Sequence, residues 1–126
     1  MKRILILEDN PAVQEKIEKA AEETEKKTGN QIDATIIDKG GEALDFLAGG
    51  NEKEQFDMIF LDFNSPDGVS FYESLPLLPV ERVISISNIE SANWEVVGKG
   101  ALGSVQKDYA NLEKFKEDIK QFIEEI

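Results

Sequence analysis

Short apolar runs alternate with longer stretches whose apolar residues recur every three or four positions, a pattern that predicts a parallel sheet with crossover helices. Residues 3–7 form a compact β-run ending in Glu8, Asp9 and Asn10. Pro11 suits the first turn of a helix, and Val13, Ile17, Ala20 and Ala21 continue at helical spacing until Gly29 and Asn30 stop it. Residues 32–37 alternate apolar and polar side chains, as an edge strand with one covered face does. Gly40 and Gly41 open a short helix with Ala43, Leu44 and Leu47 inward, ended by Gly49-Gly50. Residues 57–63 hold Met58, Ile59, Phe60 and Leu61 in an unbroken run, which marks a central strand buried on both faces.

In the second half, the loop 64–68 precedes a helix that Pro76 and Pro79 cut to barely two turns. Residues 82–87 read as a fourth strand ending in Ser87-Asn88. Residues 91–99 form a weak helix with Trp94, Val96 and Val97, closed by Gly98 and Gly100. Trp94 is expected to be a packing residue or part of a partner surface. Residues 103–106 are a short fifth strand that ends at Lys107. Leu112, Phe115, Ile119, Phe122, Ile123 and Ile126 then step along one stripe of a last helix, read as core rather than as a coiled-coil seam. Five strands and five helices in strict alternation give an α/β fold, and a right-handed doubly wound parallel sheet closes it.

A length of 126 residues suits a single domain spanning 1–126. No apolar run reaches about 18 residues, so no transmembrane span is expected. The apolar stretch near Met1 is too short for a signal peptide, and a cytoplasmic location is the simplest expectation. The absence of cysteine and histidine excludes disulfides, thiolate or imidazole metal sites, a Cys nucleophile and a His phosphoacceptor. Chemistry must rest on Asp, Glu, Ser, Thr, Tyr, Lys or Arg. The formal net charge of −12 argues against direct binding to nucleic acid or to an anionic membrane, both of which need Lys and Arg.

The useful residues fall at the carboxyl ends of the expected strands, where ligands bind in open α/β sheets. These are Glu8 and Asp9 after the first strand, Asp62 after the third, Ser87 after the fourth and Lys107 after the fifth. Three converging carboxylates repel one another unless a cation sits among them. A hard divalent cation with oxygen ligands removes that conflict, and Mg²⁺ suits a site that keeps several waters and a phosphate oxygen. A carboxylate can be the nucleophile that forms an aspartyl phosphate. Ser87 and Lys107 would then hold phosphate oxygens, one as hydroxyl donor and one as point charge.

Over essentially its whole length the chain resembles the receiver domain of bacterial two-component response regulators. The resemblance rests on Ile4-Leu5-Ile6-Leu7-Glu8-Asp9-Asn10, on Phe60-Leu61-Asp62-Phe63-Asn64-Ser65-Pro66-Asp67-Gly68, on Val83-Ile84-Ser85-Ile86-Ser87-Asn88 and on Gly100-Ala101 leading to Lys107. It implies a flavodoxin-like (βα)5 fold with strand order 2-1-3-4-5. It implies that Asp62 accepts a phosphoryl group from a histidine kinase or phosphotransfer protein, and that an unknown downstream protein reads the result. Asp9, Asp62 and the backbone carbonyl of Asn64 would hold Mg²⁺, with Glu8 acting through a coordinated water. Pro66 and Gly68 match the loop after the phosphoacceptor. Such a chain is a signalling phosphoacceptor and not an enzyme acting on other substrates.

Three positions depart from that pattern. Ser104 stands where the family has an aromatic switch residue, so coupling to the output face is expected to be weak or carried by another residue. Asp108 follows the lysine where a cis-proline is usual, and cis is costly without proline. Asn88 is larger than the usual small residue and stands close to the phosphate position. These departures favour, as an alternative, a receiver-like module that binds partners constitutively. A Mg²⁺-dependent phosphatase with an aspartyl nucleophile ranks low, because Asn64 occupies the place of its second Asp and cannot transfer protons. A flavodoxin-like electron carrier is also poor, since no Ser/Thr/Gly-rich phosphate loop follows the first strand.

Overall fold

The computed structural model describes residues 1–49 and 55–126. Five parallel strands, β1 (Lys2–Leu7), β2 (Ile32–Ile37), β3 (Met58–Leu61), β4 (Val83–Ser85) and β5 (Gly103–Ser104), lie in the order 2-1-3-4-5. The α-helices are α1 (Pro11–Thr28), α2 (Gly40–Ala48), α3 (Glu90–Gly98) and α4 (Leu112–Ile123). The abbreviated third crossover is a 3-10 helix over Phe71–Leu77, with Pro76 inside it and a second 3-10 turn at Val80–Arg82. Proline lacks the amide needed to extend an α-helix there, and the tighter helix is favoured in short pieces. β2 has the expected bounds and β1 begins one residue earlier, while β3, β4 and β5 are shorter than expected. Gly50, expected to help end α2, lies outside the described residues.

The alternation of strand side chains divides the core in two. Ile4, Ile6, Met58, Phe60 and Ile84 face α1 and α4, meeting Val13, Ile17, Phe115 and Ile119. Leu5, Leu7, Ile59, Leu61 and Val83 face α2, the 3-10 helix and α3, meeting Ala43, Leu47, Phe71 and Val96. β1 and β3 are therefore buried on both faces, while edge strand β2 is largely half-buried. The stripe of α4 is core, with Leu112, Phe122 and Ile126 partly buried against it. Leu44, expected inward, is only half-buried, and Phe46 packs against the core instead.

Two local devices shape the strand ends. Asn10 caps α1, its side-chain oxygen accepting from the Ala12 and Val13 amides at 2.9 and 3.2 Å, which leaves Asp9 uncommitted to capping. Lys39 gives α2 no side-chain cap. The loop after β3 supplies one: the Gly40 amide donates to Ser65 Oγ at 2.7 Å and the Gly41 amide to Asp67 Oδ2 at 2.9 Å. That docking brings the Val69 carbonyl oxygen to 1.7 Å from where a Cβ on Gly40 would lie. Gly40→Ala is therefore expected to destabilise the protein by about 3 kcal/mol or more, because backbone must move on both sides of the contact. A urea midpoint equal to that of the wild type would show that the contact is easily relieved.

Candidate functional site

The site forms where the ladder runs past the ends of the strands. The Glu8 amide donates to the Ile37 carbonyl and the Asp62 amide to the Leu7 carbonyl, so both acids continue the sheet. Ile86 N–H donates to Leu61 O at 2.9 Å and Lys107 N–H to Ser87 O at 3.2 Å, which sets Ser87 between the Asp62 and Lys107 strand ends. Parallel register thus gathers residues separated by up to 99 positions in the chain.

Lys107 is the hub. Its Nζ lies 2.7 Å from Glu8 Oε1 and 3.2 Å from Asp62 Oδ1, and all three residues are buried. Glu8 Oε2 also accepts from the Asn10 amide at 3.0 Å, and Asp62 Oδ1 from the Phe63 amide at 2.8 Å. Asp9 is exposed at the mouth, yet one carboxylate oxygen from each of Glu8, Asp9 and Asp62 lies within 4.8 Å of the others. An all-oxygen, multiply acidic donor set fits a hard divalent cation. Asn64 is exposed in the following loop, two residues beyond Asp62. Beside Lys107, an open cleft of about 440 Å³ is lined by Asn88, Gln106, Asp108, Tyr109 and Lys114, among others.

The electrostatics follow from burial. Glu8 is pushed up to about 7, first by desolvation and then by the charge on Asp62, against the pull of Lys107. Desolvation also raises Asp62, opposed mainly by Lys107. For Lys107 itself burial acts downward, but the charges of Glu8 and Asp62 together prevail and hold it above the usual lysine range.

Of the residues expected from the sequence, Glu8, Asp9, Asp62 and Lys107 converge directly, and Ser87 lies at the same end through the ladder. Sequence reading missed the groups behind them. Gln14 Nε2 donates to the Glu8 carbonyl at 2.6 Å. Asn93, buried on α3, bonds both backbone groups of Ser87. A polar amide beside Ala92 and Val96 on the inward side of α3 was the available signal. Trp94, the next residue, is 66% exposed and so is not a packing residue.

No protein-family model matches the chain, and neither does any curated protein. Solved structures do match. The phosphorylated cyanobacterial phytochrome response regulator RcpA is 23% identical, with a TM-score of 0.72 over 95% of this chain and 89% of that one. A response regulator receiver domain from Rhodospirillum rubrum is 24% identical, with a TM-score of 0.71 over 97% and 91%. The Mn²⁺-bound form of response regulator Rcp1 is 19% identical, with a TM-score of 0.69 over 96% and 91%. The chain therefore has the fold of these receiver domains.

The raised carboxyls give a pH dependence with a definite sign. Between the ordinary glutamate value and about 7, the folded protein holds a proton at Glu8 that the unfolded chain releases. Stability of the metal-free protein is thus greatest below that window and falls as pH rises through it, by on the order of 3 kcal/mol. Asp62 adds in the same direction. Thermal melts between pH 5 and 8 (roughly this window) should show the decline, and saturating Mg²⁺ or Mn²⁺ should flatten it by replacing the proton. Melts that rise with pH without metal would contradict the burial argument.

Proposed function

We propose that residues 1–126 form a receiver domain that accepts a phosphoryl group on Asp62 from a histidine kinase or phosphotransfer protein, with Mg²⁺, and signals through protein contacts. The observation that carries this reading is Lys107 Nζ held between Glu8 and Asp62, with Asp9 completing the acidic cluster. The folds of a phosphorylated and of a Mn²⁺-bound response regulator support it.

Each group then has a defined task. Asp9, Asp62 and the Asn64 carbonyl would bind Mg²⁺ directly, with Glu8 acting through a water. When bound, the ion neutralises charge on the transferring phosphoryl oxygens. The free Asp62 carboxylate oxygen attacks phosphorus; the new O–P bond forms as the P–N bond to the donor imidazole breaks. The imidazole keeps the bonding electrons and takes up a proton. Lys107 shifts its ammonium contact from Asp62 to a phosphoryl oxygen, and Ser87 donates its hydroxyl proton to another. Ser87 Oγ accepts from the Ile89 amide at 3.0 Å, and among the described residues it donates to no group, so its proton is free for that use.

A second reading, a module that binds partners without phosphorylation, draws on the exposed Trp94, Val97 and Leu102 around α3 and β5. Intact-mass measurement separates the two. Incubation with acetyl phosphate and Mg²⁺ should add one phosphoryl group to the wild type and none to Asp62→Asn, which keeps the shape but loses the anionic nucleophile. An adduct persisting in Asp62→Asn would mean a different acceptor, and no adduct in either protein would favour the constitutive module.

A further inference from the structure

Ser87 is held by a side chain from outside its strand. Asn93 on α3 is almost fully buried, and its amide is paired with the backbone of Ser87: Oδ1 accepts from the Ser87 N–H at 2.9 Å and Nδ2 donates to the Ser87 carbonyl at 2.9 Å. Oδ1 also accepts from Ser85 Oγ at 2.6 Å. The backbone groups fix which way the amide faces, since reversing it would set donor against donor. β5 pairs with β4 over only Ile84↔Gly103 and Ser85↔Ser104. The amide therefore takes the Ser87 N–H beyond the end of that paired stretch. A buried amide with three such bonds is a rigid local constraint, and leaving its partners unpaired is costly.

We infer that Asn93 is a positioning residue for phosphoryl transfer: its amide aims the Ser87 hydroxyl and ties that residue to α3. The inference rests on the proposed phosphoacceptor role of Asp62. It supplies a link where Ser104 offers no aromatic ring. If Ser87 moves toward a phosphoryl oxygen, the paired amide carries the displacement into α3. Trp94, the only tryptophan in the chain and exposed on that helix, sits next to Asn93 and can report it.

The test is a double-mutant cycle on the rate of labelling by acetyl phosphate with Mg²⁺, followed by intact mass. In that reaction the Asp62 O–P bond forms, the P–O bond of acetyl phosphate breaks, and acetate leaves with the electron pair. Asn93→Leu removes all three amide bonds and should slow labelling about ten-fold through misplacement of the hydroxyl. In a Ser87→Ala background the same substitution should cause no further slowing, because the group it aims is gone. Ser85→Ala, which loses one bond to Asn93 but leaves Ser87 paired, should label close to the wild-type rate. Should Asn93→Leu not fold, Asn93→Ser takes its place in the same cycle. Trp94 emission should shift when Mg²⁺ and beryllofluoride are added to the wild type and shift less in the Asn93 variant. A wild-type rate in the Asn93 variant, or equal slowing with and without the Ser87 hydroxyl, would overturn the positioning role while leaving the phosphoacceptor reading intact. Unchanged Trp94 emission in the wild type would overturn the tie to α3. Absence of label in the wild type would remove the phosphoacceptor reading, and this inference with it.

Discussion

Glu8, Asp62 and Lys107 are buried together at the carboxyl end of the sheet, and the remaining features of the site exist to make that burial tolerable. Removing an ion from water costs several kcal/mol even after relaxation. One ammonium 2.7 Å from Glu8 and 3.2 Å from Asp62 offsets only part of the cost of two carboxylates, and Asp9 adds a third negative charge at the mouth. The protein meets the deficit by raising Glu8 to about 7, so that a proton can serve as the missing positive charge. On the proposed function, a divalent cation would answer the same electrostatic need as that proton. Stability alone does not call for this arrangement, since apolar residues of similar size could fill the same volume at less cost. On the proposed function, its value would lie in keeping the Asp62 carboxylate beside an ammonium that can move to an incoming phosphate.

The loop after Asp62 is steadied by a helix that lacks a cap of its own. Ser65 and Asp67 receive the first amides of α2, and Asp67 also accepts from Ser65 Oγ at 2.9 Å and from the Val69 amide at 3.1 Å. The Gly41 amide and these neighbours hold the Asp67 carboxyl below the usual aspartate range. Helix start and loop therefore stabilise each other, and Gly40 allows the backbones to approach closely enough for the exchange. Asn64 sits inside the loop so anchored. Its carbonyl inherits a fixed path without making the anchoring contacts itself.

What could be read from the sequence and what could not divide along the range of the interactions. The unbroken run through Met58 and Leu61 and the stripe from Leu112 to Ile126 are local periodicities, and they located β3 and α4. Glu8 and Asp62 were legible because each directly follows an apolar run, and Lys107 because it follows the short stretch read as the fifth strand; parallel order brings strand ends to one side. Pro76 and Pro79 announced a short third crossover, though not that it would be 3-10. Asn93 and the Ser65–Asp67 clamp were illegible as site elements. Their partners lie 6 to 26 residues away in the chain, and nothing in their own spacing names those partners. The cap of α1 falls to Asn10, whose side chain accepts from the Ala12 and Val13 amides, and not to its neighbour Asp9.

The sheet itself explains why side chains carry so much of the second half of the site. β1 pairs with β2 over six residues and with β3 over four, so Glu8 and Asp62 stand on strands buried on both faces. Pairing falls to three residues between β3 and β4 and to two between β4 and β5. Ser87 and Lys107 thus lie where the ladder is thinnest and local opening costs least. The acidic half, which must hold charges in fixed relation, rests on the stiff strands. The other half, which on the proposed function holds the phosphate, is retained chiefly by side-chain contacts: Asn93 with the backbone of Ser87, the Ile89 amide with its hydroxyl, and Lys107 with Glu8 and Asp62. On the proposed function, a site divided in this way would reorganise around a phosphoryl group without disturbing the strands that place Asp62.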